Sequence, residues 1–189
     1  MLTLHRHHAC HPCLATMLMV IMKSLDVLGY DKRGKPYMYS DQQCNLIASY
    51  RGFLSQWPWD HYATLTFGRH LSESRCLKHW DEFIDSLGLI TRGRVAWVRA
   101  DEKRWSGYAS PGIPLHFHSL LKYQHVPDPE SVAAVWKAKA GDAKVEAYRS
   151  GGGAAYYVAQ MFPCEDSQFD MGGLEHFARL SADQRNLVQ

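Results

Sequence analysis

The order in which the hydrophobic pattern changes period between His61 and Arg149 constrains this chain more than any other feature. His61-Tyr62-Ala63-Thr64-Leu65-Thr66-Phe67 has the β-branched and aromatic content of a strand and stops at Gly68. Ser72 can cap a helix in which Leu77, Trp80, Ile84 and Leu87 recur at helical spacing, with Gly88 as its expected end. Arg94 to Ala100 reads as a second strand. Ser106-Gly107 and Pro111-Gly112 mark an extended hairpin connection into a third strand, Ile113 to Tyr123. Asp128-Pro129-Glu130 supplies an N-cap, a proline in the first turn and an early acid, so a helix is expected to about Ala140, followed by a strand from Lys144 to Arg149. A further helix follows the glycine run 151–153, and a weaker one is expected over Leu174 to Leu180. That order fits an α+β fold of the split βαβ, ferredoxin-like kind: an antiparallel sheet of about five strands with flanking helices.

An N-terminal helical extension precedes this unit. Asp31-Lys32-Arg33-Gly34-Lys35-Pro36 reads as a turn-rich basic linker, and Ser40-Asp41-Gln42-Gln43 matches a capping box opening a helix to about Gln56. Trp57-Pro58-Trp59 breaks it. The chain therefore divides into a leader and helix, 1–56, and a domain, 57–189, with no internal repeat or low-complexity tract. With 189 residues and 46% hydrophobic content it can bury one substantial core.

A formal charge of +2 permits a nucleic-acid partner without requiring one. Five cysteines form an odd set in a chain large enough to fold without staples, which favours free thiols and a reducing compartment. Leu14 to Met22 is apolar but stops at Lys23, short of the about 20 residues that span a bilayer, and no small-residue cleavage pattern follows. The expectation is a soluble, cytoplasmic protein with no membrane partner. His5-Arg6-His7-His8-Ala9-Cys10-His11-Pro12-Cys13 has the composition of metal ligands, yet a closed zinc site wants a second ligand pair and no second CxxC exists. A zinc-binding element and a disordered leader both stay open.

Two stretches carry chemistry. In an extended strand, residues i and i+2 share a face, so His116 and His118 can offer neutral ring nitrogens to one divalent ion, or serve as ordinary hydrogen-bonded strand residues. Gly151-Gly152-Gly153-Ala154-Ala155-Tyr156-Tyr157-Val158-Ala159-Gln160 reads as a glycine turn releasing a short helix that bears tyrosines beside an amide. On a helical wheel Ala155, Val158, Ala159 and Phe162 form the apolar face, while Tyr157 and Gln160 share the other side and Tyr156 sits on the flank. Tyr157 is thus favoured over Tyr156 as the available hydroxyl.

These residues resemble the HUH endonuclease superfamily, and within it the rolling-circle replication initiator (Rep-type) proteins with one catalytic tyrosine. Tyr62-Ala63-Thr64-Leu65-Thr66-Phe67 is similar to the first motif strand, Leu115-His116-Phe117-His118-Ser119-Leu120-Leu121 to the histidine-hydrophobe-histidine motif, and Ala155 to Gln160 to the tyrosine helix, in the family's order. The resemblance implies a metal-dependent endonuclease that nicks single-stranded DNA and keeps the 5′ end as a phosphotyrosine. It implies Mg²⁺ or Mn²⁺ held by His116, His118 and an acidic third ligand, for which Glu102 occupies the matching place; Asp101 would point to the other face. It implies catalytic roles for Tyr157, or for Tyr156, with Gln160 nearby.

One departure matters. The family's tyrosine-x-x-lysine is here Tyr157-Val158-Ala159-Gln160, whereas Tyr156 to Gln160 fits the tyrosine-x-x-x-glutamine of single-tyrosine transposases of the superfamily. A transposase, and a non-catalytic DNA-binding derivative, therefore stay open. For the DNA itself, Arg94, Lys103, Arg104, Trp105 and Lys137 are candidate contacts, since single strands bind through phosphate charge and base stacking. The expected partner is a single-stranded origin or hairpin. A separate helicase is expected too, because the chain holds no GxxxxGK[ST] phosphate loop.

Overall fold

Strand β3 (His61–Phe67) alternates buried and half-buried residues along its whole length, as a strand between two different layers must. The computed structural model describes residues 28–30, 36–102, 116–161 and 168–179. β3 is followed by helix α2 (Glu73–Thr91), which comes after an earlier helix α1 (Asp41–Leu54), and then by β4 (Val95–Glu102) and β5 (His116–Tyr123). Helix α3 (Pro129–Lys137), β6 (Gly141–Ala147), helix α4 (Ala154–Gln160) and β7 (Gln168–Gly172) complete the domain, with a 3₁₀ turn at Leu174–His176. The sheet order is β6-β3-β5-β4-β7, and every neighbouring pair is antiparallel. Each helical crossover, β3-α2-β4 and β5-α3-β6, skips one strand, which is the split βαβ pattern expected.

The two faces of the sheet bury different things. Ala63, Leu65, Phe67, Phe117 and Leu121 meet Cys76, Trp80, Phe83 and Leu87 of α2 and Val132 and Trp136 of α3. Ala96, Val98, Ala100 and Leu120 meet Ile47 and Leu54 of α1 and Ala155, Val158 and Ala159 of α4. Truncating a fully buried tryptophan such as Trp80 to alanine typically costs about 3–5 kcal/mol. The two crossover helices thus cover one face, leaving the other to α1 and the tyrosine helix.

Several boundaries differ from expectation. Ser40 forms its capping box with Gln43, but α1 ends at Leu54. In α2 the buried seam is Cys76, Trp80, Phe83 and Leu87, with Leu77 and Ile84 on its flanks. That helix runs through Gly88 to Thr91 because Arg92 adopts the left-handed conformation, and the Arg92 and Gly93 amides donate to Leu89 O and Gly88 O. α3 stops at Lys137 and β6 begins at Gly141, where a Cβ would overlap Thr66 O; only glycine admits that approach to β3. The expected linker is flanked by a two-stranded hairpin, β1 (Leu28–Tyr30) with β2 (Pro36–Met38). The edge strand β7 had no counterpart in the sequence reading, and the expected helix from Leu174 reduces to the 3₁₀ turn. Residues 113–115, the hairpin glycines, the N-terminal Cys/His cluster, Phe162 and Leu180 lie outside the described residues.

Candidate metal centre and tyrosine helix

The register of β4 against β5 makes Glu102 and His116 direct cross-strand partners, and Ala100 the partner of His118. Paired residues share a face, and so do residues two apart, so one carboxylate and two imidazoles converge on the α1/α4 side of the sheet. His116 Nε2 and His118 Nε2 both lie 2.7 Å from Glu102 Oε2. Glu102 is 4% exposed and His118 4%, while His116 is half-buried. Desolvation pushes the Glu102 carboxyl upward, but hydrogen bonds and charge from the two imidazoles outweigh it, and the net shift is downward. Asp101 points the other way, into the α2 layer, where Arg99 Nε donates to it at 2.6 Å and the Arg99 guanidinium lies over Phe117 and Trp80.

Two residues that the sequence reading did not assign complete the surroundings of His118. Thr64 is its register partner on β3, and Tyr62 is the next residue on the same face. Tyr62 OH lies 2.9 Å and Thr64 Oγ1 3.3 Å from His118 Nδ1, and the Tyr62 ring stacks on the imidazole at 6.2 Å and 8°. While His118 Nε2 donates to Glu102, Nδ1 accepts from the Tyr62 hydroxyl; with the proton moved to Nδ1 and donated to the Tyr62 oxygen, the Nε2 lone pair is freed for a ligand bond. Period-two alternation already put Tyr62 and Thr64 on one face; what was missing was the β3–β5 pairing.

α4 is launched by left-handed Gly151 and Gly153, with Tyr157 N–H donating to Gly153 O at 2.7 Å. Its Ala155, Val158 and Ala159 are buried as the wheel anticipates. Tyr157 lies edge-to-face on His118 at 4.8 Å between ring centroids, and 6.5 Å from Tyr62. Burial, then the Glu102 charge and Tyr62, push its phenol well above the ordinary tyrosine range. Tyr156 turns instead toward α1, where the Arg51 guanidinium sits 5.7 Å from its ring centroid. Gln160 is half-buried as the last residue of α4.

The two described candidate DNA contacts, Arg94 and Lys137, do not gather here. Arg94 lies just before β4, eight residues and about 26 Å of extended strand from Glu102, with Nη1 3.2 Å from His176 Nδ1. Lys137 is on α3, across the sheet, and pairs with exposed Asp142 at 3.3 Å. Lys103, Arg104 and Trp105 lie outside the described residues.

The ligand atoms of Glu102, His116 and His118 all lie within 4.8 Å of one another. Two imidazoles and a buried carboxylate form a donor set that fits a divalent ion, and the cluster could bind one. No family model, curated protein or solved structure matches this chain. Among the described residues no helix is long and apolar enough to cross a membrane.

Proposed function

We propose that this protein is a metal-dependent nuclease and strand transferase of the HUH type, which nicks single-stranded DNA through Tyr157 to initiate rolling-circle replication. The observation that carries the reading is the contact of the Tyr157 ring with His118, whose Nε2 converges with that of His116 on one Glu102 oxygen. Glu102, His116 and His118 would hold the ion, and the imidazole pair suits Mn²⁺ better than Mg²⁺ on softness grounds. When bound, such an ion polarises the scissile phosphate and neutralises the charge that develops on it.

The chain's own groups do the rest. Tyr62 and Thr64 hold His118 at Nδ1, which fixes the ring and keeps Nε2 directed at Glu102. Tyr157 contributes the attacking oxygen: a bond forms between it and phosphorus, the bond from phosphorus to the 3′ oxygen breaks, and the phenol proton is balanced by the new 3′-hydroxyl. The phosphotyrosine conserves the ester, so the reverse exchange can rejoin a strand. Gln160 offers hydrogen bonds where a lysine would offer charge. The substrate is a single-stranded origin or hairpin, opened by a separate helicase.

Covalent capture tests this. Incubation with single-stranded origin-like DNA and Mn²⁺ should yield an adduct that survives denaturation, lost in Tyr157→Phe and in the His116→Ala/His118→Ala double variant. An adduct that persists in Tyr157→Phe and disappears in Tyr156→Phe would transfer the nucleophile to the transposase register. Salt-dependent DNA binding with no adduct at any divalent-ion concentration would leave only a DNA-binding derivative.

A further inference from the structure

Tyr156, the neighbour of the proposed nucleophile, faces a groove of about 730 Å³ between α1 and the loop that launches α4. That size is within the range of small-ligand sites. Tyr39, Tyr148 and Tyr156 supply aromatic surface, Ser55 and Ser150 supply hydroxyls, and among the described residues Arg51 is the one charged member of the lining, with no carboxylate. The Arg51 guanidinium lies over the Tyr156 ring, and its charge opposes the upward push that burial gives the Tyr148 phenol. A cation beside phenol rings, with no carboxylate among the described lining residues, is the complement of a phosphate beside a base.

Gly52 is a second, independent sign. It sits inside α1, where glycine costs a helix about 1 kcal/mol relative to alanine. A Cβ placed there meets nothing within 4 Å, so packing does not demand glycine. Its missing side chain leaves the groove open beside Arg51.

We infer that this groove holds a nucleotide of the single strand next to the cleaved linkage, with its base against Tyr156 and its phosphate at Arg51. The inference rests on the nuclease reading for its substrate class. Consecutive residues of α4 then divide the labour: Tyr157 meets the scissile phosphate at the histidines, and Tyr156 grips the strand on the flank of the helix that faces α1.

The test uses the full chain carrying Tyr157→Phe, which removes cleavage from the measurement, and fluorescein-labelled oligothymidylate read by anisotropy. Arg51→Gln should weaken binding about tenfold or more and lower the slope of log affinity against log salt by about 0.7, with Arg51→Lys restoring the slope. Gly52→Leu keeps every charge and favours the helix, yet by entering the groove it should weaken binding about tenfold as well. Photocrosslinking with 5-iodouracil in the same oligonucleotide should map to the peptide containing Tyr156. Gly52→Leu that binds as tightly as its parent, or crosslinks confined to other peptides, would overturn the groove. The adduct assay is separate: wild-type adduct with binding unchanged in Arg51→Gln sinks the groove alone, whereas no wild-type adduct sinks the nuclease reading.

Discussion

At the scale of single residues, His61 and His118 show that a buried strand histidine becomes a ligand candidate only through what stands across the register. His118 has Glu102 at one ring nitrogen and Tyr62 with Thr64 at the other. His61 packs edge-to-face on Tyr123 at 5.4 Å, and its Nδ1 has no hydrogen-bond partner among the described residues. The neighbouring Asp60 carboxylate is occupied by Lys122 Nζ and the Tyr123 N–H, both at 2.8 Å. Desolvation therefore dominates and lowers the His61 pKa below 6.5, against smaller upward pushes from Asp60 and Asp128. As pH falls below 6.5 the unfolded chain takes up its His61 proton before the native one does, so stability falls until the native pKa is reached and then levels off. Each unit of separation is worth about 1.4 kcal/mol. His61→Phe keeps the ring contact and removes the titration, so urea midpoints followed below pH 6.5 should fall less steeply in the variant; parallel curves would refute the assignment.

At the scale of elements, the least expected boundary is the end of α2, and it is open to improvement. Arg92 holds φ 49°, a conformation that costs a side chain with a Cβ about 1–2 kcal/mol, on an exposed surface where it caps the helix. Arg92→Gly relieves that strain while enlarging the unfolded ensemble, so a net gain of about 0.5–1 kcal/mol is expected, read as a melting temperature raised by about 1–4 °C. A lower melting temperature would show that the guanidinium contributes more than the backbone loses. The same helix shows which features were legible. Period and parity were: the β3 limits, the shared face of His116 and His118, and the apolar stripe of α4 all follow from residue spacing, whereas Glu102 came from the family resemblance and joins that face through the β4–β5 register. Pairing was not. Nothing local in Gln168-Phe169-Asp170-Met171-Gly172 announces an edge strand, since its ladder is supplied by β4. Gly141 opens β6 because of Thr66 on another strand, and Tyr62 reaches His118 through a register visible only once the sheet is assembled.

At the scale of the whole molecule, the sheet separates stability from chemistry. Its α2/α3 face is packed with tryptophan and phenylalanine around the Arg99–Asp101 pair, while its α1/α4 face carries the acid, the imidazoles and the phenols. Glu102 and His118 are nonetheless buried, at the end of β4 and the start of β5 and contacted from α4, so an ion held there would tie three elements together. Binding to the native state alone adds about 2.7 kcal/mol when free ion stands at 100 times its dissociation constant. For a chain of this length that is a rise of about 5–10 °C in melting temperature. Mn²⁺ should produce that rise in the wild type, EDTA should reverse it, and Glu102→Gln should abolish most of it by removing the one charged ligand from between two rings. If Glu102→Gln keeps the full shift, the stabilising ion sits elsewhere, and the cysteine and histidine cluster between His5 and Cys13 becomes the place to look. Deleting the residues before Ser40 separates the two cases, since an ion held at the sheet survives that truncation and an ion held by the leader does not.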